Sequence, residues 1–162
     1  MKVFKFGGAS VKDADGLKNV LQVVKTAGEG NVLLVISAMG KTTNALEEVI
    51  KNYFNKSAEL QASIQEVKKY HNQILMELFE DESNDAFFAV NSLFADLEYF
   101  IRSNKSPNYN FVYDQIVSFG ELISTTIVSH YFNENGIKNN WLDVRNFIKT
   151  DTTYRDAVVD WD

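Results

Sequence analysis

The chain has 162 residues and a mass of 18.4 kDa, enough for one compact domain with a sizeable core and too short for a comfortable two-domain enzyme. Hydrophobic residues make up 45%, charged residues 23%, and proline occurs once, which excludes a disordered, collagenous or proline-linker chain. The 16 Lys+Arg against 22 Asp+Glu give a formal charge of −6 and a pI near 4.9, which argues against non-specific attraction to nucleic acid or anionic lipid. A small anion is not excluded, since a few backbone N–H groups and one lysine reverse the field locally. With no cysteine, disulfides, thiolate metal sites and a Cys nucleophile drop out. No segment approaches the roughly 20 apolar residues of a membrane span, and the N-terminus has no stretch of signal-peptide type. A soluble cytoplasmic protein, with neither nucleic acid nor membrane as partner, is the expectation.

Val3, Phe4 and Phe6 form a short β-prone run stopped by Gly7-Gly8, after which Val11, Leu17, Val20, Leu21 and Val24 return at helical spacing. Gly28-Glu29-Gly30 supplies positions that end a helix, and Asn31–Ser37 is then an almost unbroken apolar run suited to a parallel strand buried on both faces. Strand, helix and strand within 37 residues make a βαβ unit with an expected right-handed crossover. A second small-residue turn, Ser37-Ala38-Met39-Gly40, comes next, and Thr42-Thr43-Asn44 offers capping side chains to a helix carrying Leu46, Val49, Ile50, Tyr53 and Phe54. From Ser57 to about Asn104 the pattern is helical, broken at Glu80–Asp85, which reads as a solvated acidic turn. Pro107 lies in a polar loop before a helix expected over Tyr113–Asn133, closed by Asn135-Gly136. Trp141–Val144 and Phe147-Ile148 read as short strands. A sheet begun in this way needs further strands at its edge, so residues 1–162 are expected to be part of a larger fold.

Gly7-Gly8-Ala9-Ser10 lies between a strand and a helix, where glycines permit close backbone approach and the first helical N–H groups point at a ligand. Lys5, at the carboxyl end of the strand, could set an ammonium against the same anion. An ordinary βα turn with a surface lysine looks the same at this level. Gly40-Lys41-Thr42 resembles the end of a P-loop, but the glycine required five residues earlier is Val35, within the strand. That motif is therefore rejected. What remains is a second glycine turn beside the first, with Ser37, Thr42 and Thr43 as hydroxyl donors, and two such turns together point to phosphate. Gly120 interrupts an apolar helix at a cost of roughly 1 kcal/mol relative to alanine, which close approach of a neighbour would explain. Glu121 would then face a cleft, the plainer alternative being a solvated glutamate. His71 and His130 match no metal-ligand spacing and read as packing or helix-surface residues.

These residues resemble a known family. Lys5-Phe6-Gly7-Gly8-Ala9-Ser10-Val11 is similar to the aspartokinase signature K-F-G-G-T-S-V, Ser37–Asn44 to its second loop, and Ser118-Phe119-Gly120-Glu121 to its glycine-glutamate segment. Trp141–Arg145 and Thr150-Asp151 resemble the next stretch of aspartokinases, so the likeness runs from residue 2 to about 155. It implies the amino-acid kinase fold, a three-layer αβα sandwich with a mostly parallel sheet, here truncated and with a long helical segment. It further implies transfer of the ATP γ-phosphoryl group to the β-carboxylate of L-aspartate, the opening step toward lysine, threonine and methionine. By the resemblance, Lys5 neutralises charge on the transferring group. Gly7, Gly8 and Ser10 hold ATP phosphates, Ser37, Thr43 and Glu121 bind aspartate, and Mg²⁺ accompanies ATP with no metal ligand among the site residues. A homodimer is the family's habit.

Two departures stand out. Ala9 replaces the signature threonine, removing a hydroxyl worth roughly 0.5–1.5 kcal/mol if it was hydrogen-bonded. Family members also continue with a nucleotide-binding half and regulatory ACT domains, so residues 1–162 are expected to form the N-terminal portion of the catalytic domain and to turn over little aspartate alone. The alternatives are another amino-acid kinase, acting on glutamate, acetylglutamate or a nucleotide, and a non-catalytic anion-binding module.

Overall fold

The computed structural model describes residues 1–27 and 31–161. Strand β1 (Lys2–Phe6) and strand β2 (Val32–Ile36) pair in parallel, Lys2 opposite Val32 through Phe6 opposite Ile36, with helix α1 (Ala14–Thr26) between them in sequence. This is the expected βαβ unit. The expectation for Gly28-Glu29-Gly30 lies outside the described residues. Four more helices come after β2: α2 (Thr42–Phe54), α3 (Leu60–Leu78), α4 (Asp85–Ser103) and α5 (Tyr109–Glu134).

Local chemistry sets these boundaries. Asp13 accepts the Gly16 N–H at 2.8 Å and starts α1, and Asn84 accepts the Ala86 N–H at 2.9 Å and starts α4 after the acidic turn. Asn108 accepts the Phe111 N–H at 3.2 Å, so α5 begins at Tyr109, four residues earlier than its apolar pattern indicates. At the far end Gly136 takes φ +83° and the Ile137 N–H returns to the Phe132 carbonyl at 2.9 Å, closing the helix as expected.

The core joins α1, α2, α3, α4 and α5, with Leu17, Leu46, Leu75, Phe94, Ile123 and Phe132 all essentially inaccessible. Burying each such side chain contributes roughly 1.5–3 kcal/mol. One face of the sheet, carrying Phe6, Leu34 and Ile36, packs on this core. Its other face is open: Val3, Leu33 and Val35 are 58, 42 and 46% exposed. The expectation that β2 is buried on both faces is thus corrected for the described residues. An apolar run reports propensity for a strand but not which surfaces are covered.

A second correction concerns the last 25 residues or so. Trp141–Val144 and Phe147-Ile148 are not strands. Val144–Asn146 forms a 3-10 turn started by the Asp143 carboxylate, which accepts the Arg145 N–H at 3.0 Å. An isolated antiparallel bridge pairs Thr150 with Val159. Without a neighbouring ladder among the described residues, backbone groups here bond to side chains and turns instead. No helix among the described residues is long and apolar enough to cross a membrane.

Candidate active site

The two glycine turns meet at the carboxyl ends of β1 and β2. Gly7 is extended, and Gly8–Val11 forms a single 3-10 turn in which the Ser10 N–H donates to the Gly7 carbonyl at 2.9 Å. Across the gap, the Ser37 N–H donates to the Phe6 carbonyl at 3.0 Å, extending the ladder, and the Gly40 N–H donates to the Gly8 carbonyl at 3.0 Å. A Cβ on Gly8 would lie 2.8 Å from the Ala38 carbonyl oxygen and 3.0 Å from that of Gly40. Only glycine admits this contact. Gly40 itself takes φ +54°, a left-handed conformation that glycine adopts without strain.

Helix α5 braces the second turn from the side. Gly120, Glu121 and Ser124 lie on one helical face, and all three reach the segment 37–42. A Cβ on Gly120 would sit 3.0 Å from the Ala38 Cβ and 3.4 Å from Leu46 and Thr42 side-chain carbons, which is the close approach expected of this helical glycine. The Glu121 carboxylate accepts the Ala38 N–H at 3.3 Å, and the buried Ser124 hydroxyl donates to the Ser37 carbonyl at 2.7 Å. Glu121 therefore faces the turn rather than bulk solvent.

Two groups of backbone amides can be told apart. Those of Ser37, Ala38, Gly40 and Thr42 are engaged internally, by Phe6, Glu121, Gly8 and Met39 in turn. Those of Gly7, Gly8 and Ala9, and of Lys41, Thr43 and Asn44 at the open end of α2, donate no hydrogen bond among the described residues. The engaged amides fix the turns, and the free ones leave donors available to an anion. The side chains of Thr42, Thr43 and Asn44 do not cap α2 as expected. Lys41 occupies the cap position without a side-chain bond, and the Thr42 hydroxyl donates back to the Met39 carbonyl at 2.6 Å.

The structure thus brings Gly7, Gly8, Ser37 and Glu121 into one junction, with Thr43 half-buried in the first turn of α2. Ser10 is exposed on the 3-10 turn, its backbone against Gly16. Lys5 stands opposite Val35 on the open face of the sheet, two residues before Gly7, exposed and without an ion-pair partner among the described residues.

Two further neighbours join the junction: Tyr70, which the sequence pattern does not single out, and His71, read from sequence as a packing or helix-surface residue. Tyr70, on α3, donates its hydroxyl to the Lys12 carbonyl, and its oxygen would lie 2.5 Å from a Cβ on Gly40. Burial first, and next the Asp13 carboxylate, hold its phenol above the ordinary range, so it stays a donor. His71 is completely buried. Its Nδ1 lies 2.8 Å from the Val67 carbonyl and its Nε2 3.3 Å from the Thr42 Oγ1. Burial pushes the imidazole down to about 4, against a smaller upward pull from that carbonyl. A histidine at packing spacing carries no signal of the hydroxyl it will meet on another helix.

The model of the amino acid kinase family matches residues 1–160. The chain belongs to the amino acid kinase family. Within it, the chain is 32% identical over 157 residues to aspartokinase 1 of Arabidopsis thaliana chloroplasts, covering 92% of this chain and 26% of that one. To the bifunctional aspartokinase/homoserine dehydrogenase 2 of Escherichia coli it is 26% identical, covering 93% and 18% respectively. Among solved structures, E. coli aspartokinase III in complex with lysine and aspartate superposes with a TM-score of 0.86 at 25% identity, over 99% of this chain and 35% of that one. The same enzyme in complex with aspartate and ADP gives 0.84 at 23% identity, again over 99% and 35%. The chain spans about a quarter of the length of aspartokinase 1 and less of the bifunctional enzyme. The amino-acid kinase fold expected from the signature residues is the fold observed, the described residues supplying a two-stranded parallel sheet and the helical layer on one face.

Proposed function

We propose that this chain takes part in phosphoryl transfer from ATP to the β-carboxylate of L-aspartate, giving 4-phospho-L-aspartate, and that residues 1–162 are the N-terminal portion of an amino-acid kinase catalytic domain. The observation that carries the reading is the junction in which the first glycine turn, the second turn and Glu121 meet through Gly40–Gly8 and Glu121–Ala38 hydrogen bonds. The similarity to aspartokinases, one of them solved with aspartate and ADP, supports the same substrates.

In this reading the free N–H groups of Gly7 and Gly8, with Ser10 beside them, hold the ATP phosphates, and the Lys5 ammonium offsets charge on the transferring group. Ser37 and Thr43 bind aspartate, and Glu121 takes its α-ammonium through the carboxylate oxygen that Ala38 leaves free. An oxygen of the substrate β-carboxylate attacks the γ-phosphorus while the bond to the departing ADP breaks, so no protein nucleophile is needed. Among the described residues no three His, Cys, Asp or Glu side chains group so as to hold a metal ion. In this reading Mg²⁺ accompanies the nucleotide, and no step is assigned to a protein-held metal.

Isothermal titration with aspartate and with Mg-ATP tests the assignment. A charged hydrogen bond contributes roughly 1.5–3 kcal/mol, so Glu121→Ala is expected to weaken aspartate by about 10- to 150-fold and the nucleotide by far less. Equal weakening of both ligands, or of neither, would remove Glu121 from the substrate side.

A further inference from the structure

The Gly40–Gly8 bond joins the two turns and α5 braces the second of them, while two adjacent residues of α3 make a further set of contacts at both. Tyr70 donates to the carbonyl of Lys12, just past the first turn, while its hydroxyl lies against Gly40 of the second. His71 reaches Thr42, and Thr42 in turn bonds the Met39 carbonyl inside the second turn. We propose that Tyr70 and His71 are positioning residues that together set the separation of the two glycine turns. The proposal rests on the proposed function and deepens it, since it concerns the same site.

The proton inventory gives His71 a definite form. The Val67 carbonyl can only accept, so Nδ1 carries the ring proton and Nε2 presents a lone pair. Among the described residues, the donor facing that lone pair is the Thr42 hydroxyl. The single Thr42 proton is shared between Nε2 at 3.3 Å and the Met39 carbonyl at 2.6 Å, and that carbonyl keeps the Thr42 N–H at 2.9 Å in either case. Thr42 is thereby fixed from two directions one residue before Thr43. The imidazole is further held edge-on to Tyr70 and to Phe94 of α4, with ring centres 5.0 and 5.9 Å away, so its place is set from α3 and α4 together.

The experiment uses the 162-residue chain. Amide hydrogen exchange of Gly40, whose N–H bridges the turns, is measured in wild type, Tyr70→Phe, His71→Asn and His71→Gln, beside a core amide such as Ile127. Tyr70→Phe and His71→Asn are expected to speed Gly40 exchange at least tenfold while Ile127 stays within twofold. His71→Gln, whose amide reaches the Nε2 position, should restore protection. Acceleration of both amides alike, or of neither, would overturn the proposal in favour of core packing. Should His71→Asn fail to fold, ¹⁵N shifts of the wild-type imidazole decide its part: the Nδ1–H tautomer is expected, and the Nε2–H tautomer would refute it. Affinity for Mg-ATP and aspartate is read on the same samples, with a five- to tenfold loss expected in Tyr70→Phe. If the wild type binds neither ligand, the functional reading loses its direct support from this portion of the domain, and the exchange data still decide whether the clamp exists.

Discussion

The junction of the two glycine turns and the segment from Ile137 to Trp161 are built from comparable proportions of apolar residues, yet they fold by different means. At the junction the Ser37, Ala38, Gly40 and Thr42 amides are engaged by the ladder, the turns or the Glu121 side chain, and Met39 and Ala38 are buried. In the last segment Leu142, Phe147 and Val158 stay 61, 67 and 66% exposed. That segment is pinned at points: the Trp141 indole donates to Thr125 at 2.8 Å, Tyr154 meets Phe111 edge-on, and the Arg155 guanidinium lies 4.3 Å from the Tyr113 ring centre. Order at the junction comes from backbone complementarity, and order in the last segment from separate side-chain anchors with a 3-10 turn and one isolated backbone bridge. The first tolerates almost no change of shape, whereas the second tolerates much.

The largest expected departure between them is with acid. An exposed histidine in the unfolded chain titrates near 6.5, and buried His71 near 4, so between these values the unfolded state binds the additional proton. Stability therefore falls as pH drops from about 6.5 to about 4, by roughly 3 kcal/mol in full. The groups facing the ring are Thr42 from α2, Phe94 from α4 and Tyr70 on its own helix. Urea unfolding across this range should show the loss in wild type, and His71→Gln, which cannot charge, should lose about that much less. Equal slopes in both proteins would contradict the assignment.

Next in size is Gly8→Ala. The added carbon would press on two carbonyl oxygens that the backbone cannot easily withdraw, which predicts a loss of about 1–3 kcal/mol in urea unfolding together with displacement of the Gly40 amide resonance. A fully stable variant with an unmoved Gly40 signal would show that the turns are not in contact. Smallest is Phe147→Ser in the last segment, expected to change stability by less than about 0.5 kcal/mol by the same measurement. A loss of about 2 kcal/mol there would mean that the segment is packed as tightly as the junction.

The same contrast explains what could be read in advance. The turns, the βαβ unit, the helix break at residues 80–85 and the close approach at Gly120 stem from local rules, because glycine and proline punctuation and helical periodicity act over a few residues. Trp141–Val144 misled because its apolar and β-prone residues meet the requirement for a strand in composition alone, while a strand also needs a partner at about 4.8 Å. Tyr70, and the contact that the packing residue His71 makes with Thr42, were illegible for the opposite reason. Their meaning depends on α3 packing against α2 and on Lys12 lying beneath, contacts separated by 29 and 58 residues.

Because one oxygen of Glu121 accepts the Ala38 amide, the loop itself holds the carboxylate in place while its remaining lone pairs stay open. Under the proposed reading, a group anchored in this way has little freedom left to lose when a cation arrives, so less of the attraction goes into ordering the side chain.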